Sequence, residues 1–297
     1  MQGGFVDNGL DQHPSIFGEI TRRCKFIAPL LLFNFMQQTE SHPIDPTIRS
    51  EIMAKLAEVE RSEGVRVLYA CESGSRGWGF ASPDSDYDVR FIYVRPTTDY
   101  LRVLPMRDVI EEAPGPVFDV NGWDLRKALH LLAKGNATLV EWISSPVVYR
   151  ADNAFLQRMQ IAIQSQYQPE RSFHHYMHMA RGNYREYLQG EQVRAKKYLY
   201  VLRPVLAALW VTQRVDAPPM AFEALVQAMV TDAAVLTEIA DLVRLKRMAG
   251  EGDWFEKKPV LNAYLEQVFD SLASHQPAHR QIDMRVLDAV FAQTVAV

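Results

Sequence analysis

Residues 65–94 read VRVLYACESGSRGWGFASPDSDYDVRFIYV, and the order of signals in this stretch decides the fold. Val65 to Ala70 is apolar and β-prone, the pattern of a buried strand. Gly74 and Ser75 follow closely. A glycine lets backbone N–H groups approach a phosphate with no Cβ in the way, and a serine hydroxyl adds a donor. Arg76 to Phe80 suits a short helix whose N-terminus points at the same anion. Gly74, Ser75 and Arg76 are therefore the phosphate-contact candidates. Ser82-Pro83-Asp84-Ser85 has turn chemistry. Asp86 to Val94 then reads as a second strand. Side chains alternate along a strand, so Asp86, Asp88 and Arg90 share one face and Tyr87, Val89 and Phe91 the other. Two carboxylates on one strand face beside a phosphate-binding turn are hard oxygen ligands suited to Mg²⁺.

Three rival readings of the acidic run fit it less well. A calcium-binding EF-hand loop also begins Asp-x-Asp-x-Asp. Counted from Asp84, its glycine position is Val89 and its closing glutamate position is Arg95, so that reading fails. A phosphotransferase with an aspartate nucleophile places Asp-x-Asp at the end of an apolar strand, whereas here the pair begins one. The plainest alternative is a solvated acidic turn, which leaves the Gly-Ser turn at this spacing unexplained.

Gly74-Ser75 followed by Asp86-x-Asp88 resembles the signature of the DNA polymerase β nucleotidyltransferase superfamily. The longer string from Ala70 to Tyr93 is similar to the RlaP-type predicted nucleotidyltransferases, a branch linked to RNA repair. Gly122-Trp123-Asp124-Leu125 and Lys196-Lys197-Tyr198-Leu199-Tyr200 fit that branch too. The resemblance covers roughly Ile52 to Trp210. It implies a third carboxylate from a neighbouring strand. Asp119 sits inside the β-prone run Val117 to Val120 and takes that role. Asp124 precedes Leu125, Ala128, Leu129 and Leu132, an apolar stripe at helical spacing, and reads as a helix N-cap. Asp86, Asp88 and Asp119 would then hold two Mg²⁺ ions, with Mn²⁺ as a substitute, and Asp119 would serve as general base for an acceptor hydroxyl.

The rest of the composition sets limits. The chain has 297 residues, 48% of them hydrophobic, enough for a sizeable core and two domains. Its two cysteines, Cys24 and Cys71, lack zinc-ligand or Cys-x-x-Cys spacing. A disulfide framework is not expected, and a cytoplasmic location is. The longest apolar run, Phe26 to Met36, is interrupted by Pro29 and Asn34 and is too short to span a membrane. No secretory signal is evident.

The expected organisation has three parts. Residues 1–44 form an N-terminal extension. Residues 45–150 form an α+β (mixed α/β) nucleotidyltransferase domain on a small mixed sheet. Its first helix opens at Asp45-Pro46 and carries Ile48, Ile52, Leu56 and Val59 on its apolar face. Residues 151–297 form an all-helical domain that closes the nucleotide cleft.

From Arg171 to Arg203 there are seven basic residues against two acidic ones, inside a chain of net charge −4. A local positive field beside carboxylates suits a triphosphate. The resemblance implies a lysine near the triphosphate, and Lys197 is preferred over Lys196, with Tyr200 beside it. Basic helix faces are also commonly just solvated. His174-His175-x-x-His178 lacks an obvious third ligand for a metal. Pro204 should kink or restart its helix just after Arg203. Trp78, Trp123 and Trp142 read as core anchors rather than base-stacking platforms.

The resulting expectation is a Mg²⁺-dependent nucleotidyltransferase. It would move a nucleoside monophosphate from an NTP to a hydroxyl acceptor, RNA by family context, with release of pyrophosphate. A protein or a small molecule such as an aminoglycoside is the alternative acceptor. A non-catalytic nucleotide sensor is the alternative class. Neither a membrane nor a stable protein partner is expected.

Overall fold

A computed structural model describes residues 44–112, 115, 117–214, 216–248 and 254–296. The expectations that fall on residues 1–43, including Cys24 and the Phe26–Met36 run, lie outside the described residues, as does Gly250-Glu251-Gly252, which the sequence marks as a loop.

The first helix, α1 (Pro46–Glu63), starts where the sequence places it. Asp45 caps it, its carboxylate accepting from the Thr47 N–H at 2.7 Å, and Pro46 opens the first turn. Gly64 ends it in the left-handed region at φ 62°. The chain continues through β1 (Arg66–Glu72), α2 (Gly74–Trp78), β2 (Tyr87–Val94), α3 (Thr97–Tyr100), β3 (Val109–Glu111) and β4 (Phe118–Asp124). It then forms α4 (Leu125–Ala133), α5 (Ala137–Ile143) and β5 (Val148–Ala151). These five strands make one mixed sheet in the order β3-β4-β2-β1-β5. The β2–β4 pair is parallel and the other pairs are antiparallel.

Each sheet face is covered separately. On one, Ile52, Leu56 and Val59 of α1 pack on Val67, Val89, Phe91 and Tyr93. On the other, Leu68, Tyr69, Cys71 and Ile92 meet α4 and α5, together with α6 (Asn153–Gln166) and α12 (Met284–Val295). The register slips between Val67 and Tyr69, which lets Leu68 and Tyr69 both serve this second layer. Asp124 caps α4, accepting from the Arg126 N–H at 2.8 Å and the Tyr100 hydroxyl at 2.8 Å.

A third core is helical. It is built by α7 (Pro169–Tyr187), α8 (Ala195–Gln213), α9 (Phe222–Met229), α10 (Ala233–Met248) and α11 (Pro259–Leu272). The α+β expectation agrees with this architecture: a small mixed sheet followed by a helical region. One addition is a short antiparallel ribbon in that region, β6 (Gln192–Arg194) with β7 (Trp254–Glu256). Three-residue strands carry too little periodicity to be read from sequence. Among the described residues no helix is long and apolar enough to cross a membrane. Cys71 is buried with no disulfide.

Of the two expected outcomes at Pro204, a kink or a restart, no restart occurs: α8 continues through it to Gln213. The proline removes the N–H that would bond to the Tyr200 carbonyl. That carbonyl instead accepts from the Asn183 side-chain amide of α7 at 3.0 Å. An outside donor thus replaces the lost bond.

The helical core and the sheet layer meet at a buried ion pair. Arg203 of α8, 3% exposed, donates to the Glu141 carboxylate of α5 at 3.0 Å and to the Met220 carbonyl at 3.2 Å. The Tyr176 hydroxyl donates to the same Glu141 oxygen at 2.9 Å, and the Arg203 guanidinium lies 4.7 Å from the Trp78 ring centroid. Removing one partner of such a pair strands the other charge without water. Arg203→Met alone should lower the unfolding free energy by about 3–5 kcal/mol, whereas E141L/R203M together should recover a large part of the loss. Urea denaturation of the two single variants and the double variant checks this; simple additivity would show that the pair is uncoupled.

Candidate active site

The end of β1 and the start of β2 are joined by backbone and by one buried carboxylate. The Ser73 N–H donates to the Asp88 carbonyl at 2.8 Å. Glu72, fully buried, accepts from the Asp88 N–H at 2.8 Å and from the Tyr149 hydroxyl. Burial is the main cause that pushes its carboxyl up to about 7, with Asp88 adding repulsion. Gly74 takes φ +55°, and a Cβ built there would lie 1.9 Å from an Asp88 carboxylate oxygen. Only glycine lets the turn sit this close to the acid.

Asp88 stands near Asp119, the carboxylate implied by the family resemblance, and near Asp86, which strand alternation places on the same side. Asp88 and Asp119 are register partners on the parallel strands β2 and β4. Asp86 stands exposed just before β2. Burial, the Asp119 carboxylate and the Asp86 carboxylate raise the pKa of Asp88 against the opposing pull of Arg90. Arg90 binds both partners, at 2.9 Å from Asp88 and 2.6 Å from Asp119. The three carboxylates are hard oxygen donors of the kind Mg²⁺ takes. Among the described residues no three or more His, Cys, Asp or Glu side chains stand grouped so that they could hold a metal ion as they are placed. Arg90 supplies the positive charge between two of the acids.

Asp86 and Asp88, with Arg90, which also binds Asp119, line a cleft of about 650 Å³ together with Gly74, Ser75 and, from α8, Lys196 and Tyr200. Its remaining walls include Asn121, Trp123, Thr138 and Trp142. Trp123 stacks on Trp142 with centroids 3.7 Å apart and planes 25° apart, and Trp78 meets Tyr200 edge-on at 5.8 Å. The core-anchor expectation therefore describes Trp142, which is buried, better than Trp78 and Trp123, which are half-buried along the cleft.

Three sequence expectations need correcting in placement. Arg76 faces away from the cleft. Its guanidinium donates to the carbonyls of Ser85 at 2.7 Å and Asp86 at 3.2 Å and lies 3.9 Å from the Tyr87 ring centroid. It braces the loop that carries Asp86. Lys196, not Lys197, lines the cleft. The Lys197 ammonium sits 3.5 Å from the Tyr187 ring centroid, a cation–π contact. Arg203, counted in the basic segment, is the buried ion-pair partner described above. The histidines at 174, 175 and 178 form no metal cluster with other described residues.

One contributor was invisible in the sequence. Lys246 of α10, 3% exposed, donates to Ser82 Oγ at 2.5 Å, and Arg247 donates to the Gly79 carbonyl at 2.9 Å. Both hold the loop before Asp86 from more than 160 residues away. No local pattern signals such a contact.

Comparison with known proteins agrees with this geometry. The family model described as "RlaP: RNA repair pathway DNA polymerase beta family" matches residues 48–293. The uncharacterized protein YcgL of Bacillus subtilis (strain 168) is 42% identical over 219 residues, which cover 74% of this chain and 84% of that protein.

Glu72 gives a pH signature. Its carboxyl ionises near 4.5 when unperturbed and near 7 in the fold. Between those values the folded state holds more protons than the unfolded state, so stability falls as pH rises across the window. The metal-free protein should lose up to about 3 kcal/mol from this group between pH 4.5 and 7, and Glu72→Gln should lack that slope. Melting temperatures of both proteins from pH 4.5 to 8 test it; parallel curves would refute the assignment.

Proposed function

This chain belongs to the RNA repair pathway DNA polymerase beta family, and from that premise we propose that it transfers a nucleoside monophosphate from an NTP to a hydroxyl of RNA. The observation that carries the reading is the register pairing of Asp88 with Asp119 beside a glycine turn that touches Asp88. The donor atom is the acceptor hydroxyl oxygen. It bonds to the α-phosphorus as the bond to the bridging oxygen of the leaving pyrophosphate breaks. Asp119, the more exposed of the register pair, accepts the hydroxyl proton.

Gly74 and Ser75 line the cleft, and their backbone amides and the Ser75 hydroxyl are donors suited to the β- and γ-phosphates. Lys196 adds charge from the opposite wall. Asp86, Asp88 and Asp119 are the residues that would hold Mg²⁺, or Mn²⁺ in its place. Bound there, the metal would neutralise phosphate charge and lower the pKa of the acceptor hydroxyl. The half-buried Trp78, Trp123 and Tyr200 give the cleft flat apolar walls that exclude water around the nucleotide. The RNA acceptor is supported by the family description.

Asp88→Asn should reduce transfer by at least about 10²–10³-fold while the circular dichroism spectrum stays unchanged. Incubation with each labelled NTP, Mg²⁺ and total RNA or total protein reads both rate and acceptor. Full activity in the Asp88→Asn protein would remove the site, and label on protein instead of RNA would replace the acceptor. Separately, Lys196→Ala should raise the KM for NTP about tenfold or more, with Lys197→Ala near wild type. The reverse order would restore Lys197 to the triphosphate.

A further inference from the structure

Away from the cleft, two cavities join into one groove. The first, about 710 Å³, lies between α3, the loop after it and α4. The second, about 770 Å³, lies between the α4–α5 turn and α7. Leu131 and Lys134 line both, so the two are continuous. The lining contains seven Lys and Arg side chains against four carboxylates, a positive excess inside a chain of net charge −4. Five of the chain's eight histidines also lie along it.

The carboxylates are already engaged. Asp99 pairs with Arg102, Asp108 with Lys127 and Glu170 with His279, while Asp124 caps α4. Three cations have no carboxylate partner among the described residues: Arg126, Lys134 and Arg171. Arg126 lies over the Tyr100 and Phe291 rings at 5.0 and 5.3 Å, and Arg171 donates to the Lys134 carbonyl at 3.1 Å. Arg126, His130 and Lys134 follow at i, i+4 and i+8, the first two on one face of α4 and Lys134 at its C-cap in line with them. At 1.5 Å per residue they span about 12 Å. All three, and Arg171, His174 and His178 beyond them, are exposed.

The groove and the cleft are linked along the chain. Lys134, Gly135 and Asn136 turn the chain from α4 into α5, and Asn136 caps α5 by accepting from the Leu139 N–H at 2.9 Å. Thr138, two residues on, already lines the cleft. Arg126 and Lys134, in line along α4, with Arg171 bonded to the Lys134 carbonyl, are three cations without a carboxylate partner among the described residues, and they fit a repeating anion.

We infer that this groove holds the phosphodiester backbone of the RNA acceptor, with Arg126, Lys134 and Arg171 as its principal phosphate contacts. The inference rests on the RNA reading of the proposed function. The contacts are to phosphates, so they position the strand and do not read its sequence.

The test uses the full chain and a fluorescein-labelled single-stranded RNA of about 20 nucleotides and mixed sequence. K134E/R171E should weaken binding by tenfold or more in anisotropy titrations. It should also reduce the slope of log K against log salt by about 1.4, the value for two lost single-strand phosphate contacts. NTP binding should stay unchanged. R61E/R244E, which reverses two exposed charges elsewhere, should bind RNA far more tightly than K134E/R171E. If K134E/R171E binds as tightly as that control, the groove is overturned.

Transfer assays with labelled NTP separate this inference from the proposed function. Loss of binding in K134E/R171E with no transfer by wild type leaves the groove standing and removes the function. RNA labelling that K134E/R171E leaves intact keeps the function and removes the groove. Failure of wild type to bind the RNA at 50 mM salt removes the groove.

Discussion

A single ion pair sealed from water, Glu141 with Arg203, sets the relation between sheet layer and helical core. Glu141 sits in α5, the helix that also brings Thr138 and Trp142 to the cleft, and Arg203 sits in α8, which brings Lys196 and Tyr200. Neither charge tolerates burial alone. The two cleft walls are therefore held in one arrangement, and Trp78, beneath the guanidinium, is fixed with them. Tyr176 adds a third helix to the same carboxylate, so α5, α7 and α8 share one polar centre within apolar surroundings.

Around that centre, the acid side of the cleft follows a different logic. Asp88 is squeezed among two carboxylates, a buried Glu72 and a glycine that leaves no room for a methyl group. Arg90 relieves the repulsion by bonding to both Asp88 and Asp119. The loop entering β2 is braced twice, by Arg76 from within and by Lys246 from the helical core. Concentrated negative charge is unfavourable for folding, and Arg90, Arg76 and Lys246 surround it with positive charge.

Much of this was legible in the sequence where the signal was local. The strand–turn–strand order of residues 65–94, the Asp45 and Asp124 caps and the shared face of Asp86, Asp88 and Arg90 all follow from period and turn chemistry. What failed needed three dimensions. Lys196 and Lys197 are neighbours about 100° apart on one helix, and only the rotation of α8 decides which faces the cleft. Arg76 has the right charge beside a phosphate turn, but its stem folds back onto Tyr87. Arg203 was counted in the basic segment suited to a triphosphate because its partner lies 62 residues away. Asp119 was reached through family resemblance, since a lone aspartate in a β-prone run says little by itself.

Pro204 has a mechanical consequence. It strips the Tyr200 carbonyl of its intrahelical donor, and Asn183 on α7 takes that place at 3.0 Å. The bond works as an index pin between two long helices. If α7 slid along α8 by one turn, the carbonyl would lose its partner, at a cost of about 1–3 kcal/mol for an unmet buried group. Tyr200 is the residue whose ring forms part of the cleft wall. A proline that would ordinarily weaken a helix thus sets the height at which that wall stands.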